Sequence, residues 1–290
     1  MNLMESIEKS ELSMITKRNY YQKGMVLIKL IGKPIEYIIF HPEEVIKKIN
    51  KAYPNIGSRK TFYTFILALF RYNSDLKCSY KKEYDEWMKE FTETDKQIAD
   101  RYKENAPTKK QQEGFVAYEE IVKKRDMLED GTDEKLLLSL YTYIPPLRAD
   151  FGKVAIYEAG TPEKDRKEDN YIYDFSQLVL RRYKTAKSHK EFSRDLPKEL
   201  IKQIKESLKK KPRKYLFTMK NGDPMLKNTY TKWCNRVLQR LFGRALTVSL
   251  IRHAYINTLD FNKLTIKEKE EIAADMTHSA GMQDKYRLIF

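Results

Sequence analysis

The sequence predicts a mainly α-helical protein with a small β-sheet, an α+β chain in two parts: a helical domain over 1–105, a linker over 106–112 and a second domain over 113–290. Three observations carry this. Apolar and aromatic residues recur at helical spacing through most of the chain. The stretch Asn105-Ala106-Pro107-Thr108-Lys109-Lys110-Gln111-Gln112 is polar, holds a proline and has no periodic apolar pattern. Two short stretches with strand character, rich in Val, Ile, Leu and Tyr, lie after residue 150.

In the first part, Thr16 to Leu30 opens a helical run with apolar Met25, Ile28 and Leu30. Pro42 followed by Glu43 and Glu44 is a helix start, because proline loses nothing at the first helical position and acids suit the positive end of the helix dipole. Pro54-Asn55-Ile56-Gly57-Ser58 is a turn, with Ser58 a candidate N-cap. Phe62, Phe65, Ile66, Leu69 and Phe70 form a stripe that reads as core, and Tyr84, Trp87, Met88 and Phe91 form another. Arg59, Lys60, Arg71, Lys77, Lys81 and Lys82 either grip phosphates or form a solvated face.

In the second part, Glu119 to Glu129 and Glu134 to Tyr143 read as helices, the latter stopped by Pro145-Pro146. Lys153 to Tyr157 and Ser176 to Lys184 read as strands, with a charged loop, Gly160 to Asn170, between them. Lys184 to His189 sits where a hairpin turns, and Glu191 to Asp195 is its return strand. Helices follow from Pro197 to Lys209, Tyr230 to Leu241, Val248 to Leu259 and Ile266 to Ala274, with Asn221-Gly222-Asp223-Pro224 as a turn.

Charge is the strongest global property. Lys plus Arg minus Asp plus Glu is 56 − 41 = +15, a balance that points to a polyanion, nucleic acid first. AT-rich coding also raises lysine and tyrosine counts, so no single lysine carries weight. No run of about 18 apolar residues marks a membrane span, and residues 1–17 lack the apolar core of a secretory signal. Cys78 and Cys234 are far apart and form no CxxC, which gives neither a disulfide framework nor a zinc site. The expected compartment is reducing and contains DNA, cytoplasm or nucleus.

The C-terminal 42 residues hold the chemistry. Arg252 leads an apolar helix; His278-Ser279 follows; Tyr286 lies eight residues after His278. Moving a phosphodiester without a metal requires a nucleophile, neutralisation of charge on the phosphoryl oxygens and a proton for the leaving oxygen. Arginine suits the second task because its planar fork binds phosphate bidentately and keeps its charge. Arg148, just after Pro145-Pro146, and Arg252 are the candidates, although an arginine beside a core face often only bonds a carbonyl. Lysine serves as acid when neighbouring cations lower its pKa; Lys184 is the candidate and Lys187 the reserve. A tyrosine nucleophile conserves the bond energy in a phosphotyrosine ester. Asp150 and Asp174 are isolated and Asp275 reads as a helix-surface residue, so no acidic metal cluster is expected.

Arg148, a hairpin lysine, Arg252, His278-Ser279 and Tyr286 stand in the order of the tyrosine recombinase (phage-type integrase) family, which the chain resembles over essentially its whole length. Leu147-Arg148-Ala149-Asp150 is similar to the first arginine box, Tyr183-Lys184-Thr185 to the hairpin lysine, Ser249-Leu250-Ile251-Arg252-His253 to the His-x-x-Arg box, and Met276-Thr277-His278-Ser279 to the Gly-His-Ser box. The resemblance implies a DNA core-binding domain over 1–105 and a catalytic domain over 113–290. It implies a site of Arg148, Lys184, Ser249, Arg252, His278 and Tyr286 that cleaves and rejoins double-stranded DNA through a 3′-phosphotyrosine, with no cofactor. The free protein is expected as monomer or dimer and the synaptic complex as a homotetramer. The boxes are similar to those of recombinases from mobile elements and large DNA viruses.

Three departures stand out. Ser249 replaces the usual histidine and can donate a hydrogen bond but carries no charge. Thr277 replaces the usual glycine before His278, and only four residues follow Tyr286. Type IB topoisomerases share this catalytic set, so DNA relaxation is an alternative. Ser249 motivates a third reading, a DNA-binding protein on a decayed recombinase fold.

Overall fold

The computed structural model describes residues 3–186, 190–283 and 285–289. It is mainly helical with one four-stranded sheet, and the chain divides into two compact units, Met1–Glu104 and Asn105–Phe290.

Among the described residues the first unit is all helical: α1 (Leu3–Lys9), α2 (Met14–Ile31), α3 (Ile35–Phe40), α4 (Pro42–Ala52), α5 (Ile56–Tyr72), α6 (Ser74–Ser79) and α7 (Lys81–Lys103). Its core is the predicted stripe of α5, with Phe62, Phe65, Ile66, Leu69 and Phe70 all buried. Trp87 of α7 is fully buried, and its indole N–H donates to the Ile39 carbonyl at 3.0 Å, so its single polar atom is satisfied. Asn55, not Ser58, caps α5: the Asn55 side chain accepts from the Ser58 N–H. Several basic residues are committed locally. Lys60 pairs with Asp95, and Arg59 donates to the carbonyls of Tyr53 and Pro54.

The second unit begins with α8 (Lys109–Gly114), α9 (Tyr118–Met127) and α10 (Asp133–Leu140). Helix α8 lies where the sequence predicts a linker. Its cause is a reciprocal cap: Thr108 Oγ1 accepts from the Gln111 N–H while the Gln111 side chain accepts from the Thr108 N–H. A polar helix of 6 residues leaves no apolar periodicity to detect. Gly114 lets this helix close in, since a Cβ there would stand 2.6 Å from the Ala245 carbonyl oxygen.

The sheet runs in the order β1 (Ala155–Tyr157), β2 (Asn170–Tyr173), β3 (Gln177–Leu180), β4 (Phe192–Asp195). β1 and β2 are parallel; β2, β3 and β4 are antiparallel neighbours, with Tyr171 opposite Val179 and Leu178 opposite Arg194. β2 begins at the edge of the stretch that the sequence marks as a charged loop. One face of the sheet, with Ile172, Leu178 and Leu180, joins the main core; the other, with Ala155, Tyr171 and Val179, forms a small second cluster. Helices α11 (Lys198–Lys210), α12 (Lys227–Phe242), α13 (Val248–Asn257), α14 (Ile266–Asp275) and α15 (Ala280–Gln283) complete the unit. Leu136, Leu137, Leu200, Ile204, Leu238, Ile251 and Ala254 bury their apolar faces in that core, which fixes the α13 helix and therefore Arg252. Among the described residues, no helix is long and apolar enough to cross a membrane.

Candidate phosphodiester site

Three chain segments meet around Arg252, and each is held for a local reason. The first is the loop after α10. Pro145-Pro146 cannot continue the helix, and the adjoining Leu147 anchors the loop by its burial. This leaves the Pro146 carbonyl turned toward α13, where it accepts from Arg252 Nη1 at 2.6 Å. The second is α13 itself, which Thr247 caps by accepting from the Leu250 N–H.

The third is the turn after α14. The His278 N–H reaches the Ala273 carbonyl at 3.0 Å and the Thr277 N–H the Ala274 carbonyl at 2.8 Å, the pair of bonds of a Schellman C-cap. Thr277 occupies the left-handed position of that motif, with φ of 56°. The cap presents two carbonyls to the site: Met276 accepts from Arg252 Nη1 at 3.2 Å and Thr277 from Arg148 Nη1 at 2.6 Å.

Arg252 is 1% exposed and His278 2% exposed. Arg252 Nη2 lies 2.7 Å from His278 Nδ1, and the guanidinium sits 4.8 Å from the centre of the Tyr286 ring. The His278 and Tyr286 rings are stacked at 5.3 Å and 15°. Burial pulls the Arg252 pKa down; the adjacent Tyr286 opposes this and the Arg148 charge adds to it. An arginine begins so far above neutrality that it stays a cation. Among the described residues, neither Arg148 nor Arg252 pairs with a carboxylate.

Of the residues singled out from the sequence, Arg148, Arg252, His278 and Tyr286 are therefore gathered. Lys184 is exposed in the connection between β3 and β4; its neighbour Thr185 donates to the Thr277 carbonyl at 2.9 Å, so the main chain there abuts the site. Ser249 is exposed on the first turn of α13, and its side chain makes no hydrogen bond among the described residues. Lys187 lies outside the described residues. Both arginines also commit donors to carbonyls, the use that an arginine beside a core commonly has. Asp150 is buried and paired with Lys227 at 3.1 Å. Asp275 is half-buried and pairs with Arg194 of β4, which ties the sheet to the end of α14, so it is more than a surface residue. Among the described residues no group of three or more His, Cys, Asp or Glu side chains could hold a metal.

Sequence pattern alone assigns no role to His253, Gln111 or Asn257. His253 Nδ1 lies 2.6 Å from the Tyr286 carbonyl oxygen. The Asn257 side chain bonds both the N–H and the carbonyl of Leu288, at 3.0 and 2.8 Å. Together they hold the segment that carries Tyr286. His253 had one available signal: it is one of four histidines and follows Arg252 directly.

No protein-family model matches this chain, and no curated protein matches it. A crystal structure of XerA recombinase is similar over 99% of this chain and 93% of that chain, with a TM-score of 0.41 and 12% sequence identity.

Proposed function

We propose that the protein is a DNA strand-exchange enzyme that cleaves and rejoins double-stranded DNA through a phosphotyrosine, with Arg148, Arg252, His278 and Tyr286 at its centre. The observation that carries this is Arg252. A cation 1% exposed with no carboxylate partner among the described residues is costly unless an anion completes its environment. Around it stand a second guanidinium, an imidazole and a phenol, a set suited to a phosphodiester and its displacement.

In the proposed step the Tyr286 ring turns from the Arg252 face, and its phenol gives its proton to solvent water as its oxygen attacks phosphorus. The bond to the 5′ oxygen breaks as the phosphotyrosine bond forms. Arg148 and Arg252 neutralise the phosphoryl oxygens, and His278 adds a hydrogen bond, the kind of preorganised stabilisation that dominates such reactions. Ser249 contributes at most a neutral bond. Lys184, with Lys187 as reserve, delivers the proton to the 5′ oxygen. Rejoining reverses the step, so no high-energy cofactor is consumed. The working assembly is a homotetramer on two DNA sites.

A suicide duplex that traps the covalent intermediate tests this. Wild-type protein should give an SDS-resistant, protease-sensitive adduct and Tyr286→Phe none. An adduct that persists in Tyr286→Phe removes the nucleophile assignment. Relaxation of supercoiled plasmid by the monomer without exchange between sites would replace strand exchange with topoisomerase action.

A further inference from the structure

The protons behind Tyr286 can be placed from groups that have no choice of role. The Thr108 N–H can only donate, and it lies 2.8 Å from one side-chain atom of Gln111. That atom is therefore the amide oxygen, Oε1, which also takes the Thr108 hydroxyl at 2.9 Å. The amide nitrogen, a donor only, then faces His253 Nε2 at 3.4 Å. His253 Nε2 must accept. The hydrogen sits on Nδ1, which donates to the Tyr286 carbonyl, a group that can only accept, at 2.6 Å. Only the neutral Nδ1–H tautomer satisfies every partner. An imidazolium would set Nε2–H against the Gln111 NH₂, and turning the amide over would break the cap of α8.

We propose that His253, fixed in this tautomer by Gln111, is a positioning residue for Tyr286: it holds the main chain of the nucleophile and so sets where the phenol meets the phosphate. This rests on the reading of the site given above. His253 is 7% exposed. The charged and titratable groups acting on it are Arg252 on its own helix, which disfavours a second proton, and Tyr286, whose ring centre is 4.9 Å away. From α8 the group that meets it is the uncharged Gln111. Gain of a second proton breaks the Gln111 contact, so acid loosens the nucleophile's mount.

The test combines imidazole ¹⁵N spectra with single-turnover adduct formation on the suicide duplex. Wild-type His253 should show the Nδ1–H tautomer at neutral pH. His253→Leu should slow adduct formation roughly 10- to 100-fold, the scale of a misplaced reacting group, with DNA affinity unchanged. His253→Asn, whose amide N–H can take the place of Nδ1–H, should recover most of that rate and lose the acid limb of its pH profile. Gln111→Glu, which can accept from both Thr108 and an imidazolium, should move that limb up by about one pH unit. An Nε2–H tautomer in the wild type, or a folded His253→Leu that reacts at the wild-type rate, overturns this proposal alone. No adduct from the wild type removes the reading of the site, and the positioning role with it.

Discussion

Nη2 of Arg252 and Nδ1 of His278 lie 2.7 Å apart. A guanidinium can only donate, so Nδ1 accepts and the hydrogen of the neutral ring is on Nε2. His278 and His253 therefore carry opposite tautomers, each imposed by a neighbour with a fixed role.

The first prediction concerns Arg252→Lys. One ammonium cannot reach Pro146, Met276 and His278 together as the guanidinium does at 2.6, 3.2 and 2.7 Å, and it presents no fork to a phosphate. Adduct formation should fall by roughly 10²–10³-fold, the loss seen when one preorganised donor is removed. Nuclear magnetic resonance should also show His278 losing its single tautomer. A lysine variant with near wild-type rates would mean that charge alone suffices.

Thr277→Gly should stabilise the second unit. Thr277 is β-branched yet sits at φ of 56°, where side chains other than glycine's cost about 1–2 kcal/mol. Its carbonyl bonds to Arg148 and Thr185 survive the change, since both use the main chain; the hydroxyl contact to Arg148, 3.3 Å, is lost. A net gain of about 1 kcal/mol should appear as a higher urea midpoint with an unchanged slope. A lower midpoint would show that the hydroxyl matters more than the strain.

The third prediction is a pH dependence of stability. Burial, first, and Arg252 hold the His253 pKa below the ordinary value of 6.5. Between those two values the unfolded chain binds a proton that the folded chain does not. Stability should be fully present above about pH 6.5 and decline as the pH falls toward the depressed folded value, at no more than about 1.4 kcal/mol per pH unit. Urea midpoints from pH 8 to 5 should show this decline, and His253→Asn should show less of it. An equal decline in both proteins would move the cause to other groups.

The sequence is informative where one residue type has one physical use. The Phe62, Phe65, Ile66, Leu69 and Phe70 stripe is buried as its spacing implies, and Pro42 opens α4 with Glu43 and Glu44 in its first turn; α10 stops at Leu140, short of the expected Tyr143. Arg252 and His278 were legible through their order along the chain. The hidden features depend on contacts distant in sequence. β2 is 4 residues long, and its alternation shows only once β1 and β3 pair with it. Helix α8 is polar, and its signal, Thr108 and Gln111, is three residues apart in a stretch that otherwise resembles a tether. Gln111 and His253 are 142 residues apart, so nothing local ties one to the other.

Two glycines near the site should respond oppositely to alanine. At Gly114 a Cβ would meet Ala245 O at 2.6 Å and Leu250 Cδ1 at 2.9 Å. The oxygen belongs to main chain, so α8 must shift or the loop must give, and overpacking of this kind costs about 1–3 kcal/mol. Because α8 carries Gln111, the shift should also disturb the His253 tautomer. At Gly281, in α15, nothing lies within 4 Å of the added Cβ and φ is not positive. Alanine there should be neutral or stabilise by up to about 1 kcal/mol, through the lower entropy of the unfolded chain. Urea unfolding of the two variants beside the wild type separates close packing from chain entropy. Equal effects at both positions would show that α8 does not rest on the Ala245 carbonyl.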